Sequence, residues 1–109
     1  MNRWNGTGKI KTGIRTTYTQ SGTCRVSFLF AVPRCRGETG CDYIPVVAWG
    51  HLAEDIRDLA DQGARIGIDG RLQTSMWGEP KKYKTEVVVE TVDFLDRREP
   101  VDVDNGKDC

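Results

Sequence analysis

Residues Asp42–Gln73 read DYIPVVAWGHLAEDIRDLADQGARIGIDGRLQ, and the periodicity of this stretch changes twice. From Tyr43 to Trp49 two sets alternate: Tyr43, Pro45, Val47 and Trp49 on one side, Ile44, Val46 and Ala48 on the other. That is a strand, and Gly50 ends it. From Leu52 the spacing becomes helical, with Leu52, Ile56, Leu59 and Ala60 on one side and Glu54, Asp55, Arg57, Asp58 and Asp61 in water. Gly63 can take the left-handed conformation that stops a helix. Alternation then returns, Ile66, Ile68 and Leu72 against Arg65, Asp69, Arg71 and Gln73. A helix this short between short strands reads as a plug against a small curved sheet, because the connections are too tight for parallel crossovers.

The 109 residues suffice for one domain with a modest core. Charges balance over the whole chain, but residues 1–92 carry a net +3 and residues 93–109 a net −3. A mildly basic body with an acidic end is compatible with nucleic-acid binding without requiring it. No apolar run approaches membrane-spanning length and no signal-peptide core opens the chain, so the expectation is a soluble cytoplasmic protein without membrane contact. Cys24, Cys35, Cys41 and Cys109 form no CxxC pair, and there is one histidine. Free thiols are expected, with a Cys35–Cys41 disulfide under oxidising conditions as the alternative; no metal or cofactor is expected.

Outside the opening stretch, Trp4-Asn5-Gly6-Thr7-Gly8 puts glycines where a buried strand wants apolar side chains, within a first strand reaching Arg15 and bending at Thr12-Gly13. Cys24–Val32 alternates cleanly, Val26, Phe28, Phe30 and Val32 against Arg25, Ser27, Leu29 and Ala31. Since both sets hold apolar residues, part of the outer face should be covered, by another subunit on this reading. Arg34–Gly40 is a hairpin loop, Gly78-Glu79-Pro80 a turn, and Thr85–Phe94 a final valine-rich strand. Beyond Arg97 the chain is polar and without strand or helix signals, so the expected domain is 1–97, with a tail over 98–109. About five strands with one short helix between the third and fourth make an all-β class and suit a five-stranded barrel of the oligonucleotide-binding (OB) type.

A set of motifs now lines up. Met1-Asn2-Arg3, Tyr18-Thr19-x-Ser21-Gly22-Thr23, Phe28-x-Phe30-Ala31-Val32-x-Arg34, Asp42–Gly50, Leu52-Ala53-Glu54, Gly67–Thr74 and Tyr83-x-Thr85-Glu86-Val87-Val88-Val89 follow one another in order and at the right spacing. In these, the chain resembles the bacterial-type single-stranded DNA-binding proteins over roughly Met1–Asp96. The resemblance implies an OB-fold subunit assembled as a homotetramer. Such a subunit coats single-stranded DNA in replication, recombination and repair, in the cytoplasm with the nucleoid, and catalyses nothing. It also implies base-stacking roles for Tyr43, Trp49 and Trp77. The family's usual acidic tip ending in Pro-Phe has no match in Val103–Cys109, so recruitment of the usual tip-binding partners is not expected. The alternative is an OB-fold accessory protein of replication restart, or a degenerate relative acting mainly through protein–protein contacts.

The residues argue in the same direction without the family. A barrel has one inside, so the second apolar face bearing Tyr43, Val47 and Trp49 must meet bases, the helix or another subunit. Trp77 stands in a hairpin too polar to bury it, and Lys81, Lys82 and Lys84 follow it. Stacking platforms beside a phosphate track are what single strands require. Tyr83, interleaved with the lysines, is counted with the stacking residues, and Arg3, Lys9, Arg34 and Arg71 are the further candidate phosphate contacts. Trp4 is assigned a structural role. The lone His51 has no nucleophile or carboxylate pair set around it, and no Gly-Lys-Ser/Thr phosphate loop is present, so an enzyme is not expected.

Overall fold

The computed structural model describes residues 1–34 and 39–95. Its elements in chain order are β1 (Trp4–Ile10), β2 (Arg15–Tyr18), β3 (Cys24–Pro33), β4 (Cys41–Trp49), α1 (His51–Leu59), β5 (Arg65–Trp77) and β6 (Lys82–Phe94). The strands run side by side as β1-β5-β6-β4-β3-β2, and a β1–β3 pairing closes the first five into a barrel. Every pairing is antiparallel except β4–β6, where Val46 and Val47 lie beside Val87 and Val88. This is the expected OB barrel, with α1 between its third and fourth strands. The expected tail and the Cys35 side of the possible disulfide lie outside the described residues.

The first strand is not the single bent strand that the sequence predicts. β1 pairs β5 from Trp4 to Lys9 and reaches β3 at Lys9 and Ile10; β2 pairs β3 alone. Between them, the Leu29 amide donates to Thr12 Oγ1 at 3.2 Å, so a side chain takes over a ladder bond and the strand breaks. Arg57 holds β2 to the helix by donating to the Tyr18 hydroxyl at 2.6 Å, while its Nε binds Asp58 at 2.8 Å.

The glycines of β1 are explained by closure. A β-carbon on Gly8 would stand 2.1 Å from the carbonyl oxygen of Ala31, where β1 crosses from one sheet neighbour to the other. A β-carbon on Gly6 would stand 2.3 Å from the Trp4 indole, which folds back along the strand. That indole meets Phe30 edge-on at 6.3 Å and supplies the apolar volume that glycines cannot. The core it joins contains Ile10, Phe28, Phe30, Val46, Ile66 and Val87.

The helix meets the barrel on nearly the expected face, with one exception at Leu59. Ala53 and Ile56 are its buried residues, with Ala60 just past its end, whereas Leu59 is exposed and Leu52 half-buried. Leu52, Ile56 and Ala60 of the expected face do pack on the barrel core, Leu59 turns to solvent, and Ala53, small enough to let the helix come close, is added to the contact. The helix also ends at Leu59, a turn before Gly63, which instead takes φ 90° in the following connection. Leu72, on the same face as buried Ile66 and Ile68, is itself exposed. Its backbone N–H and C=O are both bonded by the side-chain amide of Asn2, at 3.0 and 2.9 Å. Cys24 is a buried free thiol, while Cys41 is disulfide-bonded, which corrects the free-thiol expectation there.

β5 and β6 pair out to Trp77 opposite Lys82, so strand structure extends through Thr74–Trp77 and Lys82–Lys84, where the apolar alternation fades. Cross-strand pairing alone carries these arms beyond the barrel. No helix of the described residues is long and apolar enough to cross a membrane.

Because backbone must shift to admit a methyl group at the closure point, Gly8→Ala should lower stability by about 1–3 kcal/mol or more. Gly13→Ala, where a β-carbon meets nothing within 4 Å, should stay within about 0.5 kcal/mol of the parent. Urea denaturation of both variants checks this; equal midpoints would contradict it.

Candidate nucleic-acid interface

Register decides which of the candidate side chains share a surface. Directly opposed residues of an antiparallel pair project to the same face. On β4 the outward residues Tyr43, Pro45, Val47 and Trp49 stand opposite Ala31, Leu29, Ser27 and Arg25 of β3. On the hairpin, Trp77 stands opposite Lys82, Ser75 opposite Lys84, Gln73 opposite Glu86, and Arg71 opposite Val88. Val88 lies beside Val47, which joins the hairpin's outer face to that of β4. Tyr43, Trp49, Trp77, Lys82, Lys84 and Arg71 therefore belong to one continuous surface. Lys9 joins it at the Tyr43 end, because Lys9 and Tyr43 both pair with Ala31.

The aromatics on this surface are available. Tyr43 is 48% exposed, Trp49 43% and Trp77 51%, although large apolar side chains are usually buried. Tyr43 and Trp49 stand six residues apart on an extended strand, about 20 Å, which several nucleotides of an extended chain can cover. Each carries a cation: the Arg25 guanidinium lies 5.4 Å from the Trp49 ring and Lys11 Nζ 5.8 Å from the Tyr43 ring.

Other candidates are placed differently. Tyr83 stands opposite Met76, on the side of the hairpin that continues the barrel interior, and is thus across the hairpin from Trp77. Lys81 lies in the turn before β6. Arg3 is paired with Asp69 at 3.5 Å on the outer face of β1 and β5. Arg34 donates through Nε and Nη2 to Asp42 Oδ1 at 3.1 and 2.9 Å, and these bonds, with the charge of Asp42, raise its pKa. Arg71 is paired with Glu90 at 3.2 Å. Lys9, Lys81 and Lys82 form no ion pair among the described residues.

Two predicted apolar features resolve within the chain itself. Val47 and Val88 are buried although they face outward, and so is Ala31, while Leu29 is half-buried. Part of the outer apolar set of β3 is therefore covered by the same chain and does not by itself require a second subunit. Sequence reasoning missed Lys11 beside Tyr43 and the placement of Arg25 beside Trp49. Alternation already assigned Arg25 to the outer set; only the β3–β4 register was missing.

The family model for the single-strand binding protein family matches residues 1–95 of this chain. The single-stranded DNA-binding protein of Bacillus cereus is 36% identical over 105 residues, covering 90% of this chain and 62% of that protein. Single-stranded DNA-binding protein 1 of Clostridium acetobutylicum is 38% identical over 85 residues, 72% of this chain and 77% of that one. Single-stranded DNA-binding protein 2 of the same organism is 34% identical over 91 residues, 78% and 68% of the two chains. This chain thus spans about three-fifths of the length of the Bacillus relative. With a closed OB barrel, an exposed aromatic face and a family match over 1–95, the chain belongs to the single-strand binding protein family.

Proposed function

We propose that this protein binds single-stranded DNA independently of sequence, as a homotetramer that protects exposed strands in replication, recombination and repair. One observation carries the reading: Trp77, Lys82 and Lys84 lie on the same surface as Tyr43 and Trp49. Every base has a π-face, so stacking on the three rings contributes about 1–3 kcal/mol per base and does not discriminate strongly among bases. Lysines that meet phosphates release counterions, which adds affinity that falls with salt. Arg3, Arg34 and Arg71 already spend part of their charge on a carboxylate, so Lys9, Lys81 and Lys82 are the principal contacts on this reading. Lys84, with Glu86 no closer than 3.6 Å, joins them. The tetramer rests on the family resemblance. Nothing in stacking or ion pairing requires a bond to be made or broken.

Three measurements test the reading. Titration with oligothymidylate should quench tryptophan fluorescence, and Trp77→Ala should lose part of the quench and weaken binding by about 1–3 kcal/mol. Tyr83→Ala, on the other side of the hairpin, should cost clearly less; equal losses would contradict a path over the outer face. Lys82→Gln with Lys84→Gln should lower affinity for all sequences alike and flatten the slope of log K against log salt by about 0.7 for each phosphate no longer neutralised. Sedimentation at low micromolar concentration should show no major monomer, and a clean 12.2 kDa species would overturn the assembly.

A further inference from the structure

A buried carboxylate lies on the same surface as Lys82, Lys84 and the exposed aromatic rings. Glu86 stands on the outer face of β6, opposite Gln73, and only 8% of it is exposed. Its described partner is Lys84 Nζ at 3.6 Å, longer than a hydrogen bond. Buried acceptors are nearly always bonded, so a carboxylate that accepts no hydrogen bond among the described residues calls for an explanation. It lines a cleft of about 410 Å³ with Thr12, Arg15, Ser27, Pro45 and Lys84, between the β1–β2 connection and the root of the hairpin. That volume is within the range of small-ligand sites.

We propose that this cleft is a base subsite in which Glu86 accepts hydrogen bonds from a donor-bearing base edge, guanine above all. The inference rests on the DNA-binding reading. Guanine offers N1–H and the 2-amino group side by side, and a carboxylate offers two acceptor oxygens in matching geometry, a charge-assisted bidentate pair. Thymine presents a single N–H between two carbonyl oxygens that the carboxylate repels. Lys84, half-exposed and 3.6 Å from Glu86, and the exposed Arg15 of the cleft lining are available to the phosphates flanking the held base. The result is a local preference superimposed on sequence-tolerant stacking.

The test compares three labelled oligomers by anisotropy at fixed salt: oligothymidylate, the same oligomer with every third base guanine, and that oligomer with hypoxanthine for guanine. Hypoxanthine lacks only the 2-amino group. The wild-type protein should bind the guanine oligomer about fivefold tighter than the hypoxanthine one. Glu86→Gln, shown by circular dichroism and sedimentation to be folded and assembled, should reduce that ratio below about twofold, while any gain from losing a negative charge appears equally with all three. A wild-type ratio of one, or a ratio unchanged by Glu86→Gln, would overturn the subsite. The wild-type ratio needs no variant and decides the matter if the substituted chain fails to fold. Failure of the wild-type protein to bind any of the three would instead overturn the DNA-binding reading itself.

Discussion

The carbonyl of Ala31 occupies the space in which a side chain at position 8 would stand, and the barrel depends on that approach. β1 must pair with β5 along most of its length and still reach β3 before Lys11. Only a residue without a β-carbon lets the two backbones come together there. Gly70 repeats the arrangement on the far side, where a β-carbon would lie 2.2 Å from the carbonyl of Val88, beside the irregularity in β5–β6 pairing. Closing the barrel also gives every strand one inside face and one outside face. The outer faces of β4 and the hairpin become a single surface because Val47 and Val88 lock those strands side by side.

The candidate phosphate contacts differ in how their charge is held. The arginines considered as phosphate contacts are held by carboxylates, Arg34 by Asp42, Arg71 by Glu90 and Arg3 by Asp69. Guanidinium and carboxylate match geometrically, and such pairs hold arginine in place. Lysine is a point charge on a flexible stem, suited to following a backbone whose phosphates take no fixed position. The neutral total charge of the chain hides this local arrangement, which is why composition said so little about partners.

Much of this architecture was legible in the residues. The alternation in Tyr43–Trp49 and the helical spacing after it defined β4 and α1, and Trp77 stood out because its neighbours were too polar to bury it. What could not be read depends on register or on three-dimensional closure. The split between β1 and β2 follows from one bond to Thr12 Oγ1, and the glycines at 6 and 8 look like strand breakers until Trp4 is seen folded over one of them. Tyr83 was grouped with Trp77 because they are near in sequence, but their opposed partners put them on opposite sides of the hairpin. In α1 the periodicity placed Leu52, Ile56 and Ala60 against the barrel, but it also placed Leu59, which is exposed, and passed over Ala53, which is fully buried. A hydropathy pattern records how apolar a face is and not how near it can come.

On the proposed reading, one strand of DNA crosses Tyr43, Trp49 and Trp77 together. Nuclear magnetic resonance can follow it through the indole N–H signals of the three tryptophans, Trp4, Trp49 and Trp77, as a short oligothymidylate is added. Trp4, packed on Phe30, serves as an internal control. A single path requires the Trp49 and Trp77 signals to move and saturate along the same binding curve while that of Trp4 stays in place. A Trp49 signal that does not respond, with movement confined to Trp77 or shared with Trp4, would contradict it.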